Sequence, residues 1–175
     1  MSREQHLVEL VDESGVALGH ATVAEAHTAP GRLHRAFSVV LFRDDGRILL
    51  QRRAHSKTRF PLHWANSCCG HPGPGEDLSE AAARRLSEEL GVVHVALSIA
   101  GVYLYRAIDP VTGRVEHEYD HVLVGRVGGG FAIRIDPKEI AQLRWADPAH
   151  LGGNAIPGPL APWLAGVVRT AQGPG

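Results

Sequence analysis

Eleven histidines in a chain of 175 residues are an outlying count, and several lie beside other metal-binding side chains. Three groups stand out: His27 and His34 within residues 26–35, then Cys69-Gly70-His71, then Glu116-His117-Glu118. On a strand, positions i and i+2 share one face about 7 Å apart, so Glu116 and Glu118 would be neighbouring carboxylates. Two such charges repel unless a cation or protons intervene. Imidazoles with carboxylates form a mixed N/O donor set, so the three groups together predict a divalent-metal centre. The only two cysteines, Cys68 and Cys69, are adjacent. A disulfide between neighbours closes a strained ring that cross-links nothing, so free thiols pointing to opposite sides of an extended segment are expected.

The elements that must position these residues follow from apolar patterning. Residues 7–18 read as a short hairpin around an Asp-rich turn. Residues 37–42 and 47–52 read as a second hairpin, joined by Arg43-Asp44-Asp45-Gly46, whose Asp-Gly pair supplies positive φ at low cost. The best helix is 77–90, with Asp77 or Ser79 as cap and Gly91 at its left-handed end. Strands return at about 101–106, 115–127 and 131–135. A short helix is expected from Asp136-Pro137 through Leu143, and a last helix from Pro159 to Thr170. Hairpins on both sides of one central helix suggest an α+β sandwich, without evident parallel βαβ units.

Within residues 78–90, Leu78, Ala82, Leu86 and Leu90 form one stripe, while Glu80, Arg84, Ser87 and Glu88 fall opposite. Glu89 lies inside the apolar stripe, one turn from Arg85. Its charge must therefore face a cleft, a metal or a partly buried ion pair.

The spacing from Gly70 through Glu76, Arg84-Arg85-Leu86-Ser87-Glu88-Glu89-Leu90-Gly91-Val92 resembles the Nudix box, G-x5-E-x7-R-E-U-x-E-E-x-G-U, where U is aliphatic. One position departs: Arg85 stands where the pattern has glutamate. The resemblance implies a Nudix-like α/β/α sandwich with mixed or antiparallel sheets around a central box helix. In the family's hydrolases the box glutamates bind cations that activate water against a diphosphate. A cation at position 85 favours holding a diphosphate without cleaving it.

A second resemblance is more specific. His27-Thr28-Ala29, Arg32-Leu33-His34, Gln51-Arg52-Arg53-Ala54, Trp64-Ala65-Asn66-Ser67-Cys68-Cys69-Gly70-His71-Pro72, Tyr105-Arg106-Ala107, Val115-Glu116-His117-Glu118 and Pro162-Trp163 are similar to type I isopentenyl-diphosphate isomerases, a Nudix-superfamily group. The similarity spans residues 7–168. It implies an enzyme interconverting isopentenyl and dimethylallyl diphosphate in isoprenoid biosynthesis, by 1,3-allylic proton transfer through a carbocation-like state. It further implies that His27, His34, His71, Glu116 and Glu118 bind manganese or zinc, and that a magnesium ion bridges Glu89 and the substrate diphosphate, without flavin. Cys69, Glu118 and Tyr105 match the family's catalytic positions. Arg53, Lys57 and Arg85 match its diphosphate contacts, with Arg53 rather than its neighbour Arg52 facing the cleft. Trp163 matches a tryptophan that faces the developing positive charge; by its own surroundings in sequence it reads equally as a core residue. Cys68 is then structural. Val23 departs from the family where some members carry a diphosphate-contacting lysine.

Composition sets the outer limits. With 18 Lys+Arg against 19 Asp+Glu and no basic tract, nucleic acid is not an expected partner, and a small diphosphate is. No apolar run approaches the ~20 residues of a spanning helix, and residues 1–6 lack an apolar leader. A cytoplasmic protein, monomer or homodimer, is expected, as a single domain over 1–170 with a Nudix core at about 32–166 and a fraying tail at 171–175. The chain is too short for the TIM barrel of the flavin-dependent isomerases. Two rivals stand beside the isomerase: a nucleoside-diphosphate hydrolase using Glu76, Glu88 and Glu89, and a non-catalytic diphosphate sensor.

Overall fold

The long strand β3 (His34–Arg43) is buried on both faces for most of its length. That is the environment a parallel, doubly covered strand requires. Ten of its residues run parallel to β8 (Val115–Val127), from His34 opposite Glu118 to Arg43 opposite Val127. The computed structural model that shows this describes residues 2–173. The other strands are β1 (Leu7–Val11), β2 (Ala17–Thr22), β4 (Ile48–Arg53), β5 (Trp64–Ala65), β6 (Cys68–Gly70), β7 (Leu97–Ile108) and β9 (Ile140–Ala146). The helices are α1 (Val23–Ala26), α2 (Leu78–Leu90) and α3 (Leu164–Gln172), with 3-10 turns at Arg3–Gln5 and Gly153–Ala155.

Alternation along β3 divides the interior into two layers. Phe37, Val39 and Leu41 pack with Leu123 against Leu78, Ala82, Leu86 and Leu90 of α2. Val40 packs on the opposite face with Val122, Ile48 and Leu50 against Leu164, Val167 and Val168 of α3. The result is the expected α/β/α sandwich, its mixed sheet combining the parallel β3–β8 pair with antiparallel neighbours β6, β7, β4 and β9. The parallel pair has no local signature, because its strands lie more than seventy residues apart in sequence.

Both expected hairpins form, with β1 and β2 joined through Gly15 at φ +80° and β3 and β4 through Gly46 at φ +83°. Helix α2 starts under an Asp77 cap that accepts from the Ser79 and Glu80 amides, and ends at Gly91 in the left-handed region.

Four expectations differ from the structure. Residues 131–135 form no strand. The Arg134 and Asp136 amides instead donate to the Leu90 and Glu89 carbonyls, which the end of α2 leaves without helical partners. Asp136 caps a single turn, its side chain accepting from the Lys138 amide, and the chain then becomes β9 along the open edge of β4. The edge of a formed sheet outweighs the short helix that Asp-Pro signalled. The last helix begins at Leu164, because residues 159–161 are held by Trp64: its amide donates to the Pro159 carbonyl, and Ala161 donates to its carbonyl. The helix runs to Gln172, so Ala171 and Gln172 are helical rather than frayed, and the expectation for 174–175 lies outside the described residues.

Asp109 fixes the β7–β8 turn to the neighbouring loop. Its carboxylate is fully buried and accepts from the Phe60 amide at 2.8 Å, the Val111 amide at 2.9 Å and the Thr112 hydroxyl at 2.8 Å. Burial opposes ionisation, but these hydrogen bonds hold the carboxyl below its ordinary value. A folded-state value below the unfolded one, near 3.9, contributes stability that is fully present above about pH 4 and is lost as pH falls through the folded value. Asp109→Asn is expected to lower stability by about 2 kcal/mol at pH 7. Urea midpoints measured from pH 7 to pH 2 should show the gap between the two proteins closing in acid.

Candidate metal centre and active site

Strand register brings the predicted residues into one layer. Glu118 on β8 lies opposite His34 on β3 and Tyr105 on β7, while Cys69 on β6 lies opposite Ser38 on β3. Cys69 thus faces the α3 side of the sheet, where Ser38 and Asp120 lie, and Cys68 is buried in the α2 core, as the alternation of an extended segment requires.

His27 follows α1, whose start is secured by reciprocal Thr22 and Glu25 capping bonds. The loop then reaches β8 by close contact at Gly31, where a Cβ would lie 2.4 Å from Val115 Cγ1 at a φ of +83°. Only glycine fits both conditions. His27 Nδ1 lies 2.7 Å from the Val23 carbonyl and His34 Nδ1 lies 2.8 Å from the Arg32 carbonyl. A carbonyl can only accept, so each Nδ1 carries a proton and each Nε2 is turned toward the carboxylates. These Nε2 atoms are buried without a hydrogen-bond partner, as is Glu116 Oε2, although His27 Nε2 and Glu116 Oε2 are 2.9 Å apart. Ligand atoms of His27, His34, His71 and Glu118 all lie within 4.8 Å of one another. Imidazole nitrogens and carboxylate oxygens left without hydrogen-bond partners in a buried space are costly, and together they form the mixed donor set of a divalent-metal site. The residues fit a divalent metal.

Glu116 sits at the margin of this group. Its Oε1 accepts from Arg59 Nε at 3.1 Å, a partner with no sequence signal. Burial disfavours its charge, but His27 and Arg59 hold its carboxyl at about 2. Burial likewise opposes the charge of Glu118, which His34 and His71 keep well below the carboxylate range. Burial lowers His71 to about 4, which keeps it neutral despite Glu118 Oε1 at 2.9 Å from its Nε2.

Glu118 Oε2 accepts from the Tyr105 hydroxyl at 2.7 Å. Burial and the adjacent Glu118 charge push Tyr105 well above its ordinary value, so the phenol keeps its proton. The Cys69 thiol is pushed up to about 12 by burial and by Asp120. Asp120, raised by burial and by Glu118, accepts from Ser38 Oγ at 2.7 Å, and that oxygen lies 3.7 Å from Cys69 Sγ. Asp120 was legible as the next inward position after Glu116 and Glu118 on one strand face. Trp163 precedes α3 and is 2 % exposed, stacked on Tyr105 with centroids 5.8 Å apart and edge-on to Phe60. It belongs to the core and also lines the cavity.

These groups open on a cavity of about 1180 Å³. Its lining includes Tyr105, Trp163 and Cys69 together with Arg53, Lys57, Arg84, Arg85 and Lys138, and the Arg53 guanidinium lies over the Trp163 ring, 5.6 Å from its centroid. Arg53 lines it as expected, whereas Arg52 turns away to the Leu62 carbonyl and Gln142. The buried Glu139 carboxylate gathers three cations, paired with Lys57, with Arg85 Nη2 at 3.6 Å and with Arg3 Nε at 3.1 Å. Arg3 also reaches Glu88 at 3.3 Å, and Glu4 accepts from Arg59 at 2.9 Å, so residues 2–7 form part of the cavity wall. Sequence reasoning missed Arg3, Arg59 and Glu139, because their partners are remote in the chain.

Glu89 differs from the expectation that it faces the substrate. It pairs with Arg85 through one oxygen, accepts from Gln51 Nε2 at 3.1 Å through the other, and is absent from the cavity lining. Of the three possibilities the helix pattern left open, the structure takes the buried ion pair. With both oxygens engaged, Glu89 does not fit a bridging magnesium in this arrangement.

The NUDIX domain model matches residues 32–170. Among curated proteins, the chain is 57% identical over 167 residues to the isopentenyl-diphosphate Delta-isomerase of Nocardia farcinica, covering 94% of each chain. It is 47% identical over 169 residues to that of Streptomyces coelicolor, covering 97% of this chain and 85% of the relative. Among solved structures, a Deinococcus radiodurans protein superposes with a TM-score of 0.75 at 23% identity, covering 94% of this chain and 98% of that one. A MutT NUDIX hydrolase from Burkholderia pseudomallei superposes with a TM-score of 0.61 at 22% identity, over 79% and 97%. At those identities the structural likenesses establish the fold, and the curated relatives establish the branch. The chain belongs to the Nudix family and, within it, to the isopentenyl-diphosphate Delta-isomerases.

Proposed function

We propose that this protein interconverts isopentenyl and dimethylallyl diphosphate. The observation that carries this reading is a thiol and a His/Glu group that fits a divalent metal facing one cavity, beside an indole, with several cationic side chains in the same lining. Moving an unactivated double bond requires a proton delivered at one carbon and another removed two carbons away, with water excluded from the cation-like state between them. Cys69 and Glu118 form the acid–base pair, exchanging roles between the two directions. The Tyr105 hydroxyl holds one Glu118 oxygen in place. The Trp163 face stabilises developing positive charge, a contact worth ~2 kcal/mol when desolvated.

The diphosphate serves as a handle whose binding energy positions the small apolar tail. Arg53, Lys57 and Arg85 would hold it, with Arg3 adding charge from the N-terminal segment near Val23, where some members carry lysine. His27, His34, His71 and Glu118, with Glu116 beside them, would hold manganese or zinc, which supplies positive charge that sets the protonation of Glu118. Magnesium would enter with the diphosphate, and no step here depends on Glu89 holding it.

A hydrolase reading is weaker on the same geometry. Glu76, Glu88 and Glu89 are all ion-paired, to Arg84 or Arg85, so the box presents no free group of carboxylates. Among the described residues no helix is long and apolar enough to cross a membrane. A cytoplasmic protein, monomer or homodimer, acting without flavin or nucleic acid is consistent with this chemistry.

Proton and phosphorus NMR of the protein with isopentenyl diphosphate, Mn²⁺ and Mg²⁺ in D₂O should show deuterated dimethylallyl diphosphate and no phosphate release. Phosphate release without isomer would sink the proposal. Cys69→Ala is expected to lower kcat by on the order of 10³-fold, while substrate affinity, read by calorimetry, stays within a few-fold. Zinc or manganese at 100 times Kd should raise stability by about 2.7 kcal/mol, and His34→Ala should abolish that gain in a thermal melt. Arg3→Ala is expected to raise KM about 3- to 10-fold with little change in kcat, as loss of a uniform binding contact does.

A further inference from the structure

Asn66 touches neither the cavity nor any metal-cluster side chain, yet it is fully buried between two residues that do the chemistry in the proposed reaction. Its Nδ2 donates to the Val39 carbonyl at 3.2 Å and the Cys68 carbonyl at 2.9 Å. Carbonyls can only accept, so this end of the amide must be the nitrogen and the orientation is determined. Oδ1 therefore points forward, where it accepts from the Cys69 thiol at 3.2 Å and from Trp163 Nε1 at 3.2 Å. All four hydrogen-bonding valences of the amide are used.

We infer that Asn66 is a positioning residue that ties the Cys69 thiol and the Trp163 indole to one backbone-anchored oxygen, fixing the proton-carrying group and the cation-stabilising ring relative to each other. The inference rests on the isomerase reading for its kinetic consequence, but the geometry it asserts is independent of that reading. The anchor is rigid, because Val39 lies in the centre of β3 and Cys68 in the adjoining β6. Indole and thiol come from segments almost a hundred residues apart, and Asn66 is their shared polar contact. A purely structural asparagine would support the fold equally whether or not its oxygen engaged both groups.

The test combines kinetics with indole NMR. Asn66→Ala is expected to lower kcat by on the order of 10- to 100-fold, as misplacement of reacting groups does, with KM for isopentenyl diphosphate nearly unchanged. The Trp163 Nε1–H signal, identified by its loss in Trp163→Phe, should move upfield while those of Trp64 and Trp145 stay in place. In a double-mutant cycle, Asn66→Ala should cost at least about twofold less when Trp163 is already phenylalanine. Additive effects, a rise in KM instead of a fall in kcat, or an unmoved indole signal would overturn the inference. Should Asn66→Ala not fold, the unsubstituted protein decides: a solvent-like, rapidly exchanging Trp163 N–H overturns it, and a downfield, protected one supports it. Wild-type protein that fails to isomerise would remove the activity reading, leaving the indole measurement to judge the hydrogen bond alone.

Discussion

The parallel pairing of β3 with β8 is the constraint on which the rest of this molecule depends. It joins strands distant in sequence over ten residues and is covered on both faces, so each residue's direction is set by its place in the alternation. A slip of one residue would send every side chain to the opposite layer. Phe37, Val39 and Leu41 would leave the α2 core, and Ser38 would leave the thiol. The same register that builds the hydrophobic layers sets His34 beside Glu118 and Ala36 beside Asp120. Packing and chemistry are therefore specified by one pairing.

Charge is distributed unevenly around that frame. At the sheet end, imidazoles and carboxylates converge in a buried space that fits a divalent cation. Around Glu139 the excess is positive, and this carboxylate serves as the internal anion that keeps Lys57, Arg85 and Arg3 close. Mutual repulsion among those cations would otherwise spread them. Arg85 links the two halves of this account, since it replaces a box carboxylate, neutralises Glu89 behind it and still lines the cavity. Arg85 thus adds a positive charge to the cavity wall at the place where the box pattern has a carboxylate.

Beside these charged groups lies a layer of buried polar groups with almost complete hydrogen bonding. Tyr105 is bound to Glu118, Ser38 to Asp120, and Asn66 to both Cys69 and Trp163. Satisfied networks of this kind hold side chains in single geometries, because each alternative leaves a buried donor or acceptor without a partner. A reaction passing through a cation-like state needs such fixed groups and an apolar enclosure around the alkene.

Much of this was legible in the sequence for identifiable reasons. Turn chemistry at Asp44-Asp45-Gly46, the Asp77 cap and the Gly91 stop are local, and local rules placed those elements. Alternation placed Glu116 and Glu118 on one face and separated Cys68 from Cys69, since period two depends only on extended backbone. The box spacing identified the family because it reflects a loop and helix whose parts are near neighbours in the chain. Tertiary structure alone decided the rest. The free carbonyls at the end of α2 took up residues 131–136, and the open edge of β4 drew residues 140–146 into a strand. Arg85 claimed Glu89, Arg59 claimed Glu116, and Asn66 met Trp163 from 97 residues away. A sequence determines which groups are available and how neighbours alternate; which distant groups satisfy one another is settled only when burial removes water as the competing partner.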